Sequence, residues 1–166
     1  MFDKEYQFRG KHAEMVLRLT GELDKEIKKG LFRSNYDIYE IAPMVGYLFG
    51  RKAPLDKCEP TTKVFRDKVM DEAEELKYNF RVLMMLIDKE TKSIDERVDI
   101  AFRLESEDEK RLQYDLIYDD YVRGGVEVLY EHIFEDAKDT DEYIMNLYNF
   151  LQEFNNRYYV EIEEEF

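Results

Sequence analysis

The chain has 166 residues, 44% of them hydrophobic and 39% charged, with only 3 Pro and 7 Gly. That length fits one domain of ordinary size, able to hide about two-thirds of its unfolded surface. The composition excludes a disordered chain, and few breakers among many charges describe solvated helices better than sheets. We therefore expect an all-α, single-domain bundle of six or seven helices spanning 1–166, with an acidic tail from about 160.

The net charge is −14. Residues 1–60 hold 11 Lys and Arg against 10 Asp and Glu, a net of +1; residues 61–166 hold 14 against 29, a net of −15. A nonspecific nucleic-acid binder needs a positive surface to displace counterions from phosphates. Any direct phosphate contact therefore falls to the first third. A single cysteine, Cys58, leaves no internal disulfide and no multi-cysteine zinc motif. No signal peptide opens the chain and no stretch approaches the roughly 20 apolar residues of a membrane span. A cytoplasmic protein is expected.

In chain order, His12, Val16, Leu19, Leu23 and Ile27 step by three and four, which predicts a helix over Lys11–Lys29 stopped by Gly30. A second helix runs from Ser34 or Asn35 to about Phe49, with Pro43 inside it and Gly46 allowing close approach of another helix. Ala53–Pro60 is a loop. A long third helix is expected over Thr62–Asp88, with Phe65, Val69, Ala73, Leu76, Phe80, Leu83 and Ile87 on its apolar face.

Ser93 and Glu96 make a capping box for a fourth helix, with Val98, Ala101 and Phe102 inward. A fifth helix ends near Val122, Gly124-Gly125 breaks the chain, and a sixth covers Val126–Phe134. Asp139 or Thr140 caps the last helix, whose inward positions are Ile144, Leu147, Leu151, Phe154 and Tyr158. Strand signals are weak throughout.

Chemistry is sparse. His12 and His132 have no second ligand at metal spacing. The paired Glu-x-x-His motif of helical metal sites is absent, since Leu129 precedes His132 by three and Arg9 precedes His12 by three. Glu127 and Glu131 read as part of a solvated acidic stripe. Cys58 lacks a catalytic signature. No catalytic residue, metal or cofactor is assigned.

Three junctions place a basic residue beside a glycine: Arg9-Gly10-Lys11, Gly50-Arg51-Lys52 and Arg123-Gly124-Gly125. If these meet in space, Arg9, Lys11, Arg51, Lys52 and Arg123 form one positive patch on an acidic protein. The glycine pair at 124–125 would then start a helix whose free N–H groups, with Arg123, hold an anion.

Two stretches carry a family likeness. Asp37-Ile38-Tyr39-Glu40-Ile41-Ala42-Pro43-Met44-Val45-Gly46-Tyr47-Leu48-Phe49-Gly50-Arg51-Lys52 has an aspartate leading an apolar helix, then a glycine and a basic pair; the other is Tyr121-Val122-Arg123-Gly124-Gly125-Val126-Glu127-Val128-Leu129. The first resembles a helix of small accessory proteins encoded beside bacterial DNA-phosphorothioation and other phage-defence genes. Pro43 departs from the alanine-rich turn of that pattern. The resemblance implies a helical adaptor without activity of its own. Such a subunit is expected to bind a larger ATPase or nuclease, to meet nucleic acid only through the complex and to touch no membrane.

A second expectation comes from the acidic residues 61–166: an inhibitor that imitates DNA and fills a basic channel. Arg97, Arg103, Lys110, Arg111 and Arg123 interrupt the acidic run that such a mimic needs.

Overall fold

A computed structural model describes residues 2–23, 30–104 and 109–158. They contain seven α-helices and one small two-stranded sheet, so the protein is predominantly all-α. The chain separates into two compact units, residues 1–129 and 130–166.

The first unit opens with strand β1 (Tyr6–Arg9), then α1 (Lys11–Thr20) and α2 (Asn35–Leu48). Strand β2 (Thr61–Val64) follows, with α3 (Arg66–Asp71), α4 (Ala73–Leu86) and α5 (Ile94–Val98). A π-helical turn, Asp99–Arg103, continues α5 and buries Ile100 and Ala101. Helix α6 spans Glu109–Ile133, so its last residues belong to the second unit, which also holds α7 (Thr140–Tyr158).

The two strands pair antiparallel in the register Tyr6↔Val64 to Arg9↔Thr61. Four-residue strands with alternate residues turned in give too short a signal for period-two reading. Here Phe8 and Val64 are the inward residues, 1% and 2% exposed. The Tyr6 ring stacks on Tyr39 of α2 with centroids 4.3 Å apart, which seats the sheet on the helical core. That core contains Val16 and Leu19 from α1, Ile38 and Ala42 from α2, Leu76, Phe80 and Leu83 from α4, and Tyr118, Val122 and Val126 from α6.

Several expected elements change. The predicted helix Thr62–Asp88 is instead β2, α3 and α4. Thr61 and Thr62 pair with β1, and Glu72 (φ −105°, ψ 22°) separates the two helices. Phe65, expected inward, precedes α3 and is 67% exposed. Phe102 is also exposed, because the π turn rotates it off the face that Ala101 buries. Helix α1 ends at Thr20, nine residues before the expected Lys29, with Gly21 following it. Residues 24–29 of that prediction lie outside the described residues, as does the tail from 160.

Helix α2 forms as expected, with Ser34 at its N-cap. The Asp37 carboxylate accepts from the backbone N–H groups of Arg33 (2.9 Å) and Ser34 (3.2 Å). Pro43 lies within it and is buried. It withdraws one donor from the Tyr39 carbonyl without ending the helix. The Ser93–Glu96 capping box is present: Glu96 N–H donates to Ser93 Oγ at 3.2 Å and Ser93 N–H to Glu96 Oε2 at 2.8 Å.

The predicted break at Gly124-Gly125 is absent, and α6 is helical straight through both. The glycines serve a different purpose. A Cβ on Gly125 would stand 1.8 Å from the Ala42 carbonyl oxygen, and one on Gly124 would stand 2.1 Å from that of Arg51. Gly46 answers from α2, where a Cβ would stand 2.3 Å from the Tyr121 carbonyl oxygen. Gly46 and Gly125 therefore let the backbones of α2 and α6 touch, and Gly124 admits the Arg51 segment that follows α2. The cost of glycine inside a helix, about 1 kcal/mol each, is offset by packing that no larger residue permits.

Candidate functional site: a buried carboxylate gathering three donors

Glu127 lies on α6, two residues after the glycine contact, and is only 7% exposed. Lys11 Nζ lies 2.7 Å from Oε1, His12 Nε2 3.0 Å from the same oxygen, and Arg51 Nη1 3.4 Å from Oε2. These partners come from the first turn of α1 and from the segment after α2. The close approach of α2 and α6 brings the Arg51 segment within reach. Gly10 sets the entry of α1, at φ +52°, and its N–H donates to the carbonyls of Cys58 (2.9 Å) and Pro60 (2.8 Å).

The electrostatics follow from burial. Burial pulls up on the Glu127 pKa, yet the hydrogen bonds from Lys11 and His12, with the Lys11 charge, outweigh it and hold the carboxyl below its usual range. His12 is 1% exposed, and burial depresses its pKa despite the carboxylate beside it. The neutral ring donates from Nε2 to Glu127, which leaves its buried Nδ1 without a partner.

Arg123, one turn before Glu127, is 6% exposed. Its Nε donates to the Ala53 carbonyl at 2.9 Å and its Nη2 pairs with Asp120. Ala53 N–H in turn donates to the Asp120 carbonyl at 3.0 Å, so the 51–53 segment is tied to α6 at both of its ends.

Neighbouring Asp119 is also strongly perturbed. Burial raises it to about 7, against the pull of Arg123 and with further upward push from Asp115 and Asp120. One of its oxygens is buried without a hydrogen bond, as is the Tyr118 hydroxyl.

Of the five basic residues singled out in the sequence, the structure places Lys11 and Arg51 on Glu127 and buries Arg123 a turn away. Lys52 Nζ stands over the Tyr121 ring, 4.7 Å from its centroid. Arg9 is half-buried at the end of β1, paired with Thr61. Sequence reasoning missed Glu127 itself, read as a solvated stripe residue, and His12, read as unremarkable. The signal was present in the sequence only as an acidic residue directly following an apolar-and-glycine run.

A second cationic locus was also missed. A cleft of about 400 Å³ is lined by Arg33, Asn35, Lys63, Phe65 and Lys68 among others. Lys63 pairs with Glu5 at 2.8 Å and Lys68 with Glu72, so two of its cations are already neutralised. Both Asn35 amide hydrogens are committed, to Thr62 Oγ1 and the Lys63 carbonyl.

Among the described residues no group of three or more His, Cys, Asp or Glu is placed to hold a metal ion, and no helix is long and apolar enough to cross a membrane. Fold and site together define a predominantly α-helical protein organised around a buried, carboxylate-centred ion cluster. The chain matches the family of DNA sulphur modification system-associated protein 4 over residues 9–165 and belongs to it. The match takes in both the glycine contact and every residue of the cluster. No curated protein and no solved structure matches the chain.

Proposed function

We propose that this chain is a cytoplasmic, non-catalytic accessory subunit of a bacterial DNA sulphur modification or related phage-defence system, and that it binds a larger ATPase or nuclease subunit. Family membership supplies the system. The observation that carries the accessory reading is the commitment of the Glu127 cluster to partners within its own chain. Its carboxylate oxygens are occupied by three donors of the same chain, and the adjacent Arg123 is committed to Ala53 and Asp120. A general base needs a free lone pair within reach of a substrate proton; the Glu127 carboxylate is spent on holding helices, and the unpartnered Nδ1 of His12 is buried away from solvent. The exposed parts of Lys11 and Arg51, with Arg9 and Lys52 beside them in sequence, are the basic surface we assign to contact with the partner. Nucleic acid is met through the complex.

The test is affinity capture of the tagged chain expressed with the rest of its modification system, at low and moderate salt, with and without nuclease. A stoichiometric larger subunit that survives nuclease treatment is expected. Recovery of the chain alone under all four conditions refutes the reading, as does metal-dependent DNA cleavage or ATP hydrolysis by the pure chain.

A further inference from the structure

The second unit packs one face of α7 and leaves another in water. On the packed face, the Tyr143 ring lies 4.5 Å from Phe134, Asn146 donates to the Ile133 carbonyl at 3.3 Å, and the Phe150 ring lies 5.1 Å from His132. Nearly half a turn around the helix stand Ile144, Met145, Tyr148 and Leu151. Their exposures are 50%, 59%, 58% and 50%. At the spacing i, i+1, i+4, i+7 they form one stripe roughly 10 Å long. Four large apolar side chains so exposed and contiguous mark a contact surface rather than scattered surface residues. The helical period that predicted Ile144 and Leu151 to be inward was reading this second apolar face.

Charge around the stripe is polarised. Glu135, Asp136, Asp139, Asp141 and Glu142 are exposed at or just before the N-terminal end of α7, with Lys138 the one cation among them. Asp141 shares a shallow depression with Ile144, Met145 and Tyr148. Toward the other end the residues flanking the stripe are the uncharged Gln152 and Asn155, while Glu153 lies on the opposite side of the helix, beside His132. Residues 130–166 as a whole carry eleven Asp and Glu against one lysine and one arginine, a net of −9.

We propose that this stripe receives an amphipathic helix of the partner protein, whose apolar face is flanked by lysine or arginine at the end lying over the α7 N-terminus. The occupant's helical form follows from the stripe's spacing, which accepts i, i+3, i+4, i+7 anchors. Its basic end follows from charge complementarity with the five carboxylates. A second copy of this chain would bring two acidic segments of net −9 together, and an anionic bilayer demands the lysine and arginine flank that α7 lacks. The inference rests on the accessory reading and names the surface through which it acts.

The test titrates the full chain against three synthetic helical peptides that share one apolar face containing a tryptophan. Their flanks carry lysine and arginine, glutamine, or glutamate. The chain has no tryptophan, so the peptide indole alone reports burial. The basic peptide is expected to bind at least tenfold more tightly than the neutral one, to lose affinity with added salt, and to outcompete the acidic one. Ile144→Ser with Leu151→Ser should weaken binding at least tenfold. Met145→Lys, which alters an exposed position only, should do the same if the serine pair unfolds. Asp139→Asn with Asp141→Asn should narrow the gap between basic and neutral peptides.

Equal binding by the Met145→Lys chain, no preference among flanks, or no binding overturns the proposal. So does self-association abolished by Met145→Lys, which would make the occupant a second copy, or capture by anionic vesicles. A larger subunit still captured by the Met145→Lys chain, alongside a negative titration, would remove the α7 surface and leave the accessory reading standing.

Discussion

His12 Nε2 lies 3.0 Å from Glu127 Oε1, joining the first turn of α1 to α6 across 115 positions of sequence. Both residues are buried, and Lys11 and Arg51 reach the same carboxylate from more exposed positions. One side chain thus ties α1 and the segment after α2 to α6.

Replacing Glu127 tests that role. Glu127→Gln keeps the shape and removes the charge, leaving Lys11 and Arg51 without their shared counter-ion. We expect a loss of about 1–3 kcal/mol in urea denaturation, within the range for breaking one partner of a buried charged hydrogen bond. His12→Ala should cost a similar amount. The double variant should cost less than the two combined, because they remove one shared interaction. Additive losses would mean that the two residues act independently.

Glycine-to-alanine changes ordinarily stabilise a helix interior. Gly125→Ala should do the reverse, by about 2–3 kcal/mol, because its Cβ would fall 1.8 Å from the Ala42 carbonyl oxygen and force α2 and α6 apart. Thermal melting followed by circular dichroism checks it. A raised melting temperature would show that the two helices do not meet at this point.

The pH dependence has two opposed contributions. His12 is depressed in the folded chain by burial, so its contribution to stability is present above its ordinary value of 6.5 and is lost as pH falls through the folded one. Glu127 behaves alike from its ordinary 4.5 downward. Asp119 runs the other way. Its folded value is raised from 3.8 to about 7, so its contribution is complete below 3.8 and is lost as pH rises through 7. Asp119→Asn should therefore stabilise the protein at pH 8 by about 1–3 kcal/mol, and flatten the decline between pH 4 and 7. Denaturant midpoints across that range decide it. An unchanged slope would place the charged carboxylate in water.

The capping box at Ser93 makes a smaller, local prediction. Ser93→Ala removes the acceptor for the Glu96 N–H and should cost about 0.5–1 kcal/mol, with faster hydrogen exchange confined to the start of α5. Exchange spreading into α4 would show that α5 is coupled to the core more tightly than its exposed residues imply.

How much of this was legible differs from residue to residue. The capping box needed only Ser93 and Glu96, three positions apart, and the sequence shows both. The apolar spacing of α2 likewise predicts a helix that survives Pro43, since one lost hydrogen bond is small against a wholly buried face. In contrast, Thr61–Val64 reads as the start of a helix until Tyr6–Arg9 pairs with it. A strand of four residues acquires its backbone partners only from a distant segment.

The basic residues divide in the same way. Their proximity to glycines was visible, and the structure brings Lys11 and Arg51 together. That they meet on Glu127, and that Arg123 turns inward to Ala53, depended on packing that no local pattern encodes.

By itself, then, the sequence determined the helical class, the positions of most helices, the acidic imbalance after residue 60 and the family to which residues 9–165 belong. These follow from local spacing, composition and motif. The tertiary structure decided what the glycines at 46, 124 and 125 are for, why an acid at 127 is buried, and which face of α7 stays in water. A glycine serves a turn or a close approach equally well, and a carboxylate is solvated or paired according to neighbours more than a hundred residues away. Only the folded chain supplies those neighbours.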